Sequence, residues 1–417
     1  GPDQFGVYNF ALAWLLLLIT PTLFGMDRLL VRNVAAYRKN QDWAALRGLL
    51  QFAPRLTGIF SVIVTVIALA VAWLTYDLTG RPALLKAEHA ELAKTALYTL
   101  VITMLLLPVW TLIIQQQNTM QGLQHILVSQ FPEQVLHPIL FLFTIGGVYV
   151  LAGKFESAQW AMILRSITAV LTLIVSYMLL QRVIPAKIRQ IEPVIEARLW
   201  IASAVPFAIS RGLVTLDQQI DALMLGALDS AEAVAFYSVS QRGVQFISLL
   251  LLSVNVALAP QIVNLHADGK RDQLQRLLTQ SARLVLLGSL PIALAFIVGG
   301  KLYLSIFGAE YKAAYTALVL LSIGQVVNVA TGSVVLLLMM TQHERQAMYG
   351  LILTAGSHII LNLLLVPVWG VEGAAIAGAV GMGAGNLAML WMVLRTLHIN
   401  PTALGDVRAW KIWQRRA

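Results

Sequence analysis

Charged and polar side chains interrupt the apolar stretches of this chain, and several share one side of a predicted helix. Arg211, Gln218 and Asp221 do so in the stretch 199–228, and Asp217 lies one turn before Asp221. Arginine binds phosphate oxygens through paired hydrogen bonds, whereas amides suit hydroxyl groups. Because such residues are costly in an apolar environment, each is a candidate functional residue.

Two later apolar stretches carry similar polar stripes, the first with Arg242 and Gln245 and the second with Gln325 and Asn328. Three stripes in one half of the chain suggest a water-accessible cavity between two halves. The predicted substrate-binding residues are Arg211, Arg242, Gln218, Gln245, Gln325 and Asn328.

The two aspartates have a different predicted role. Asp217 and Asp221 are candidates for ion coupling or for charge pairing. An equally weighted alternative is that Arg211 or Arg242 only neutralises one of these aspartates, because buried charges are usually paired. Pairing and substrate binding do not exclude each other.

Motifs for catalysis, metal binding or cofactor binding are absent from the sequence. The sequence has no cysteine and no phosphate-loop, HExxH or GxSxG motif, so no catalytic residue, metal ligand or cofactor is predicted. The spacing of Ala377, Gly381 and Gly385 lets helices pack closely, and His358 with Asn362 is interpreted as a helix contact.

One further arginine lies within a predicted span, and one glutamate lies just before another. Arg165 is near the middle of its span, where snorkelling or a contact with Glu133 would explain it. Glu133 follows Pro132, which indicates the start of a helix near the membrane interface.

The elements that position these residues are membrane-spanning helices. Of the 417 residues 58% are hydrophobic and 12% charged, against about 25% charged in soluble domains. Mean hydropathy is +0.76, and a spanning helix needs about 20 apolar residues. Eleven spans are predicted, with apolar cores at 10–24, 56–74, 96–114, 135–151, 158–180, 199–228, 233–258, 284–307, 315–340, 348–368 and 371–397.

The basic residues predict the orientation of these spans. Of the 29 Lys and Arg, 20 fall in the loops on one side, 6 in the loops on the other and 3 within spans. This asymmetry places the C-terminus in the cytoplasm and residue 1 outside, in the cell inner membrane. It also accounts for the net charge of +9 without nucleic acid as a partner.

The chain also repeats itself. The segment Gln4–Tyr8 resembles Ala233–Tyr237, and Lys154–Ala158 resembles Gly370–Ala374, at spacings of 229 and 216 residues. Such duplication is typical of transporters. We predict an N-terminal lobe over 1–184, a linker over 185–198, a C-terminal lobe over 199–398 and a basic cytoplasmic tail over 399–417.

The repeat predicts an all-α fold of two homologous six-helix lobes. The second lobe has the span 199–228 before its Phe236-Tyr237 segment, and the first has no counterpart. We therefore expect one more helix before Gly1.

Several segments resemble polysaccharide flippases of the O-antigen type, in the multidrug/oligosaccharidyl-lipid/polysaccharide (MOP) exporter superfamily. Gly1–Ala13 and Gly25–Arg32 are similar to segments around their second helix, and Ile220–Gly226 followed by Phe236-Tyr237 to their seventh and eighth. Val371–Ala377 is similar to the start of their twelfth helix.

The resemblance implies a function. Such proteins move an undecaprenyl-diphosphate-linked oligosaccharide, an O-antigen or exopolysaccharide repeat unit, across the cytoplasmic membrane by alternating access of two MATE-like lobes. The implied partners are this lipid-linked oligosaccharide, membrane lipid, and the polysaccharide polymerase and chain-length proteins. No enzymatic activity is implied.

Three alternatives are left open. A cation-coupled drug or small-solute exporter would use Asp217 and Asp221, although Arg211 and Arg242 argue against a cationic substrate. A peptidoglycan lipid II flippase would usually have two more helices after Leu397. A membrane-embedded glycosyl- or acyltransferase would need a catalytic pair in a loop such as the one that contains Glu88 and His89.

Overall fold

The computed structural model describes residues 1–82, 85–86, 89–153 and 157–405. Part of the repeat at Lys154–Ala158, the loop residue Glu88 and the basic tail after residue 405 lie outside the described residues. The described part is built from helices: α1 Pro2–Leu23, α2 Met26–Asn40, α3 Trp43–Thr79, α4 Ala90–Gly122, α5 Ile126–Phe131, α6 His137–Ala152, α7 Ala158–Val183, α8 Ala197–Leu228, α9 Ala231–Ala267, α10 Arg271–Ser305, α11 Tyr315–Thr331, α12 Val334–Met340 and α13 Glu344–Thr396.

Ten helical stretches in the described residues are long and apolar enough to cross a membrane. Each predicted span matches one of them to within two residues at its end, so the all-α, multi-pass prediction is confirmed. The last two predicted spans belong to the 53-residue α13, which contains the non-helical residue Gly370 with φ 51° and ψ −124°. Glycine adopts this φ at little cost.

The prediction that a helix starts at Pro132 is wrong. The span begins at Ile126 and continues through a π-helical turn over Pro132–Leu136 before α6. Proline has no backbone N–H, and its ring crowds the preceding turn. A wider π turn relieves that crowding, so Glu133 lies inside the span instead of at its end.

The chain divides into two compact units within α8. Unit 1 comprises Asp3–Gln219 and unit 2 begins at Ile220. Unit 1 therefore contains the predicted linker and most of α8. The predicted lobe boundaries follow from the internal repeat, and the two homologous lobes stay a prediction.

Unit 1 holds the predicted linker against α2 and α3. The amide of Val194 donates to the carbonyl of Ala44 at 3.1 Å, and Arg47 donates to the carbonyl of Ile191. A Cβ on Gly48 would lie 1.8 Å from the Val194 carbonyl oxygen, so only glycine permits this approach. The linker is thus part of the packing of unit 1.

A latch of three side chains, Tyr37, Glu196 and Trp200, continues this contact. The Tyr37 hydroxyl donates to Glu196 at 3.3 Å and accepts from the indole N–H of Trp200 at 2.9 Å. Burial raises the pKa of Tyr37; the hydrogen bond from Trp200 opposes this rise, and the charge of Glu196 adds to it. The hydroxyl therefore keeps the proton that it donates.

Unit 2 brings the two halves of α13 together through small residues. A Cβ on Gly385 would lie 1.7 Å from Thr354 Oγ1, and one on Gly381 would lie 3.0 Å from His358 Cβ. The predicted close packing through Ala377, Gly381 and Gly385 is confirmed. It carries His358 into the interior of unit 2, where it is 5% exposed.

Candidate functional site

Unit 1 contains an ion pair between Asp27 and Arg211. Arg211 Nη1 donates to Asp27 Oδ2 at 2.8 Å. Asp27 lies in the first turn of α2, where the helix dipole favours a negative charge. A Cβ on Gly25 would lie 2.2 Å from the Ala204 carbonyl oxygen, so this glycine lets α8 approach the start of α2.

The two partners differ in burial. The Asp27 side chain is 2% exposed and the Arg211 side chain is 36% exposed. Asp27 Oδ1 and Arg211 Nε are buried without a hydrogen-bond partner. Arginine has five N–H donors, so the guanidinium keeps hydrogen-bonding capacity for another anion.

A second arginine of unit 1 lies among aromatic rings. Arg165 Nη1 donates to the Tyr8 hydroxyl at 3.1 Å. Its guanidinium lies 5.1 Å from the ring centre of Trp110 and 5.7 Å from that of Phe141. The electron-rich faces of these rings stabilise a cation that has few polar partners.

Glu133, on the π turn, interacts electrostatically with both Arg211 and Arg165 and hydrogen-bonds with Gln117. Gln117 in turn donates to Gln130 at 2.9 Å. Arg165 and Arg211 thus both act on this carboxylate. A direct contact of Arg165 with Glu133 stays a prediction, whereas the aromatic partners of Arg165 were not predicted from the sequence.

Unit 2 contains a different cluster, around Asp221 on α8. Asp221 Oδ1 is 2.7 Å from His358 Nε2 and accepts from Asn362 Nδ2 at 2.9 Å. Asp221 Oδ2 accepts from the Tyr237 hydroxyl at 2.5 Å. A Cβ on Gly378 would lie 3.4 Å from His358 Nε2, so the second half of α13 closes the cluster without a side chain.

The Asp221 cluster is enclosed. Asp221 is 2% exposed, and Tyr237 and Asn362 are 2% and 0% exposed. A buried carboxylate is stable only where donors surround it, and three donors do so here. The arrangement can hold a charge or a proton away from solvent.

The other predicted site residues are distributed as follows. Asn328 Nδ2 donates to Gln325 Oε1 at 3.1 Å, and Asn386 donates to Asn328 Oδ1 at 2.8 Å. The structure therefore brings Gln325 and Asn328 together, with Asn386 as a partner that the sequence did not predict. The exposed predicted residues are Gln218, Arg242 and Gln245.

The structure identifies the residues that pair with Arg211 and Asp221. Arg211 pairs with Asp27, which the sequence did not consider as its partner, and Asp221 pairs with His358. The signal for His358 was visible, because a histidine and an asparagine one turn apart lie inside an apolar span. Asp27 gave less signal, since it lies at a helix start beside a basic segment.

Within the described parts of the chain, no group of three or more His, Cys, Asp or Glu could hold a metal ion. The two candidate sites differ in their charged groups: arginine charges in unit 1 and a buried histidine–carboxylate pair in unit 2. Permanent charges suit an anionic ligand, whereas a histidine–carboxylate pair suits proton transfer.

Known structures share this fold. An inward-facing multidrug resistance MATE family transporter of the MOP superfamily has a TM-score of 0.74 at 12% identity, over 95% of this chain and 91% of that one. Lipid II flippase MurJ, in an inward closed conformation, has a TM-score of 0.69 at 13% identity, over 94% and 84%. The chain is a multi-pass membrane protein with the MOP superfamily fold.

The family follows from the sequence comparisons. The model for polysaccharide biosynthesis proteins matches residues 1–266, and the MatE model matches residues 206–368. The chain belongs to the polysaccharide biosynthesis protein family, which confirms the resemblance to MOP-type flippases.

A curated relative, the probable flippase AglR of Haloferax volcanii, is 27% identical over 193 residues. The match covers 45% of this chain and 40% of AglR, so it spans less than half the length of that relative.

Proposed function

We propose that this protein is a flippase that moves a lipid-linked oligosaccharide, carried on undecaprenyl diphosphate, across the bacterial cytoplasmic membrane. The observation that carries the proposal is the half-exposed Arg211 in unit 1, which has donors beyond its bond to Asp27. Membership of the polysaccharide biosynthesis family and the similarity to a probable flippase support it.

Each part of such a substrate has matching chemistry in the chain. The diphosphate is an anion, and guanidinium groups bind phosphate oxygens through two parallel hydrogen bonds. Arg211 is the proposed ligand of this group in unit 1, and Arg242, exposed on α9, is a second. The amides proposed to bind sugar hydroxyls are Gln218, Gln245, Gln325 and Asn328.

The lipid tail needs an apolar environment. Unit 1 has a cavity of about 510 Å³, and most of the side chains that line it are apolar. Its lining residues include Leu30, Leu50, Leu173 and Ile174, with Gln115 and Gln116 as polar members. Such a surface can hold part of a polyprenyl chain while the rest stays in the bilayer.

The test separates substrate binding from charge pairing at Arg211. If the guanidinium binds diphosphate, Arg211→Ala removes a hydrogen bond to a charged group, worth about 1.5–3 kcal/mol, and lowers export at least roughly tenfold. Arg211→Lys restores export only in part, because an ammonium group offers no planar fork. Surface polysaccharide is measured in a strain that lacks its own flippase.

Two controls complete this experiment. Arg198→Ala, at an exposed position on the same helix, should leave export unchanged. If Arg211 only neutralises its partner, the double variant Arg211→Ala/Asp27→Asn restores export, because it removes both charges. That restoration would contradict the proposed role of Arg211.

A second candidate is a cation-coupled exporter of drugs or small solutes. The MatE model over residues 206–368, which include Asp221 and His358, favours it. The same strain distinguishes the candidates: an exporter of this kind changes drug tolerance and leaves surface polysaccharide absent.

A further inference from the structure

We propose that three amide side chains of unit 2, Gln325, Asn328 and Asn386, form a binding site for acetamido sugars, which carry an N-acetylamino group in place of a hydroxyl. This inference rests on the proposed function, because it names the class of sugar in the transported oligosaccharide. It also adds Asn386, a residue that the polar stripes of the sequence do not include.

The three amides form a directed chain of hydrogen bonds, which we call the amide ladder. Asn386 Nδ2 donates to Asn328 Oδ1 at 2.8 Å, and Asn328 Nδ2 donates to Gln325 Oε1 at 3.1 Å. Each side-chain amide has one carbonyl acceptor and two N–H donors. Among the described residues, no group accepts from Gln325 Nε2 or donates to Asn386 Oδ1. The ladder therefore ends in an unused donor group and an unused acceptor.

A ligand can reach both ends of the amide ladder. Gln325 and Asn328 are half-buried and Asn386 is 7% exposed, yet neither end atom is fully enclosed. Gly383 lies one turn before Asn386, and a Cβ on it would have no atom of another described element within 4 Å. The space beside this glycine leaves room for a group that approaches the Asn386 end.

The helices that carry the amide ladder are uncharged around it. The sequence has no Asp, Glu, Lys or Arg between Tyr315 and Thr331 on α11, and none between Gly373 and Leu394 on α13. A charged ligand group would be costly in such surroundings, since no opposite charge on these segments neutralises it. A neutral group with both a donor and an acceptor suits the site, and an amide is such a group.

An acetamido group extends the amide ladder at either end. Its carbonyl oxygen accepts from Gln325 Nε2, or its N–H donates to Asn386 Oδ1, so the group becomes a fourth amide in the chain. Hydrogen bonds in such a chain polarise one another, and each strengthens the next. Reversing all three side-chain amides would exchange the two ends and still leave one donor and one acceptor, so the match does not depend on the direction of the ladder.

The methyl of the acetamido group distinguishes it from a hydroxyl. Val327 and Leu387 lie next to the amide ladder in the chain, and both are exposed apolar side chains. Contact with apolar side chains stabilises a methyl group that would otherwise face water. A sugar with a hydroxyl at the same position supplies neither the methyl nor the amide, so the site favours the acetamido sugar.

The first test compares two substrates in proteoliposomes that contain the purified full-length protein. Both are undecaprenyl-diphosphate-linked oligosaccharides of equal length, one built from N-acetylglucosamine and the other from glucose, so that they differ only in the substituent at C2. At limiting substrate, we expect the wild type to flip the acetamido substrate about tenfold faster, the effect of two neutral hydrogen bonds, one at each end of the ladder. Equal rates for the two substrates would overturn the proposal.

The variant Gln325→Met removes the donor end of the amide ladder and keeps the length of the side chain. It should lower the ratio between the two rates about fivefold, the effect of one neutral hydrogen bond. The matched control is Gln261→Met, the same substitution at an exposed position of α9, which should keep the wild-type ratio. An equal loss for both substrates in Gln325→Met would mean that the ladder only holds α11 against α13, and would refute the site.

A second measurement does not depend on transport. Thermal unfolding of the purified protein in detergent is recorded with each of the two glycolipids at equal concentration. The acetamido lipid should raise the unfolding temperature of the wild type more than the glucose lipid does, and this difference should be smaller in Gln325→Met. If neither lipid is flipped but the difference is present, the proposed function fails and the acetamido site stands. Equal shifts by the two lipids in the wild type would refute the site.

Discussion

Each unit contains one aspartate that is 2% exposed, yet the two have different partners. Asp27 in unit 1 pairs with Arg211, whose charge is permanent, and Asp221 in unit 2 pairs with His358, whose charge depends on its proton. The first pair can change only by exchanging its partner. The second contains an imidazole in place of a guanidinium, so the same residue type lies in two chemically different environments.

The surroundings of the two aspartates support this comparison. Asp27 Oδ1 and Arg211 Nε lack hydrogen-bond partners, and Arg211 is partly exposed. Asp221 accepts bonds on both oxygens from side chains that are almost fully enclosed. Arg211 thus keeps unused hydrogen-bonding capacity, whereas both oxygens of Asp221 are engaged.

The largest expected effect is on stability and separates the two aspartates. Asp221→Ala removes the carboxylate that accepts from three buried donors and should destabilise the protein by about 3–5 kcal/mol. Asp27→Ala should cost less, about 1–3 kcal/mol, because Arg211 can turn toward water. Thermal unfolding of the purified protein in detergent measures both.

The control for this pair is Asp268→Ala, at an exposed position where Asp268 pairs with Lys270. A surface ion pair of this kind is worth about 0–1 kcal/mol. If Asp27→Ala unfolds at a lower temperature than Asp221→Ala, the claim that Asp221 lies in the more demanding environment is wrong.

The smallest expected effect concerns the latch of unit 1, which is held by two hydrogen bonds of the Tyr37 hydroxyl and not by an ion pair. Tyr37→Phe removes the hydroxyl that joins Glu196 and Trp200 and should cost about 1 kcal/mol of stability. Burial raises the pKa of Tyr37. The contribution of its hydroxyl to the free energy of unfolding is therefore full below about pH 10 and declines as the pH rises above that value.

Tyr98→Phe, at an exposed position on α4, is the control and should leave the unfolding temperature unchanged. An unchanged unfolding temperature in Tyr37→Phe would contradict the stabilising role of these hydrogen bonds.

The fold was largely predictable because apolar length alone identifies a spanning helix. The hairpin within α13 could also be predicted from the sequence, since small residues at four-residue spacing indicate close helix packing. The π turn was not, because Pro132 fits a helix start equally well. Local patterns do not encode which distant residues meet.

The candidate site shows the same limit. Arg211 and Asp221 stood out as charges in apolar surroundings, but their partners lie 184 and 137 residues away in the chain. His358 was considered only together with Asn362, so its carboxylate neighbour was missed. Asn328 and Gln325, only three residues apart, could be grouped from helical periodicity.

The central claim, that the protein flips a diphosphate-linked oligosaccharide, is tested most directly with purified full-length protein in proteoliposomes. The same oligosaccharide is supplied on undecaprenyl diphosphate, and the amount that reaches the opposite leaflet is measured by its accessibility to a glycan-cleaving enzyme. We predict rapid transfer by the wild type, at least about tenfold slower transfer by Arg211→Ala, and unchanged transfer by Arg198→Ala. No transfer above protein-free liposomes by the wild type, under either a proton or a sodium gradient, would contradict the claim.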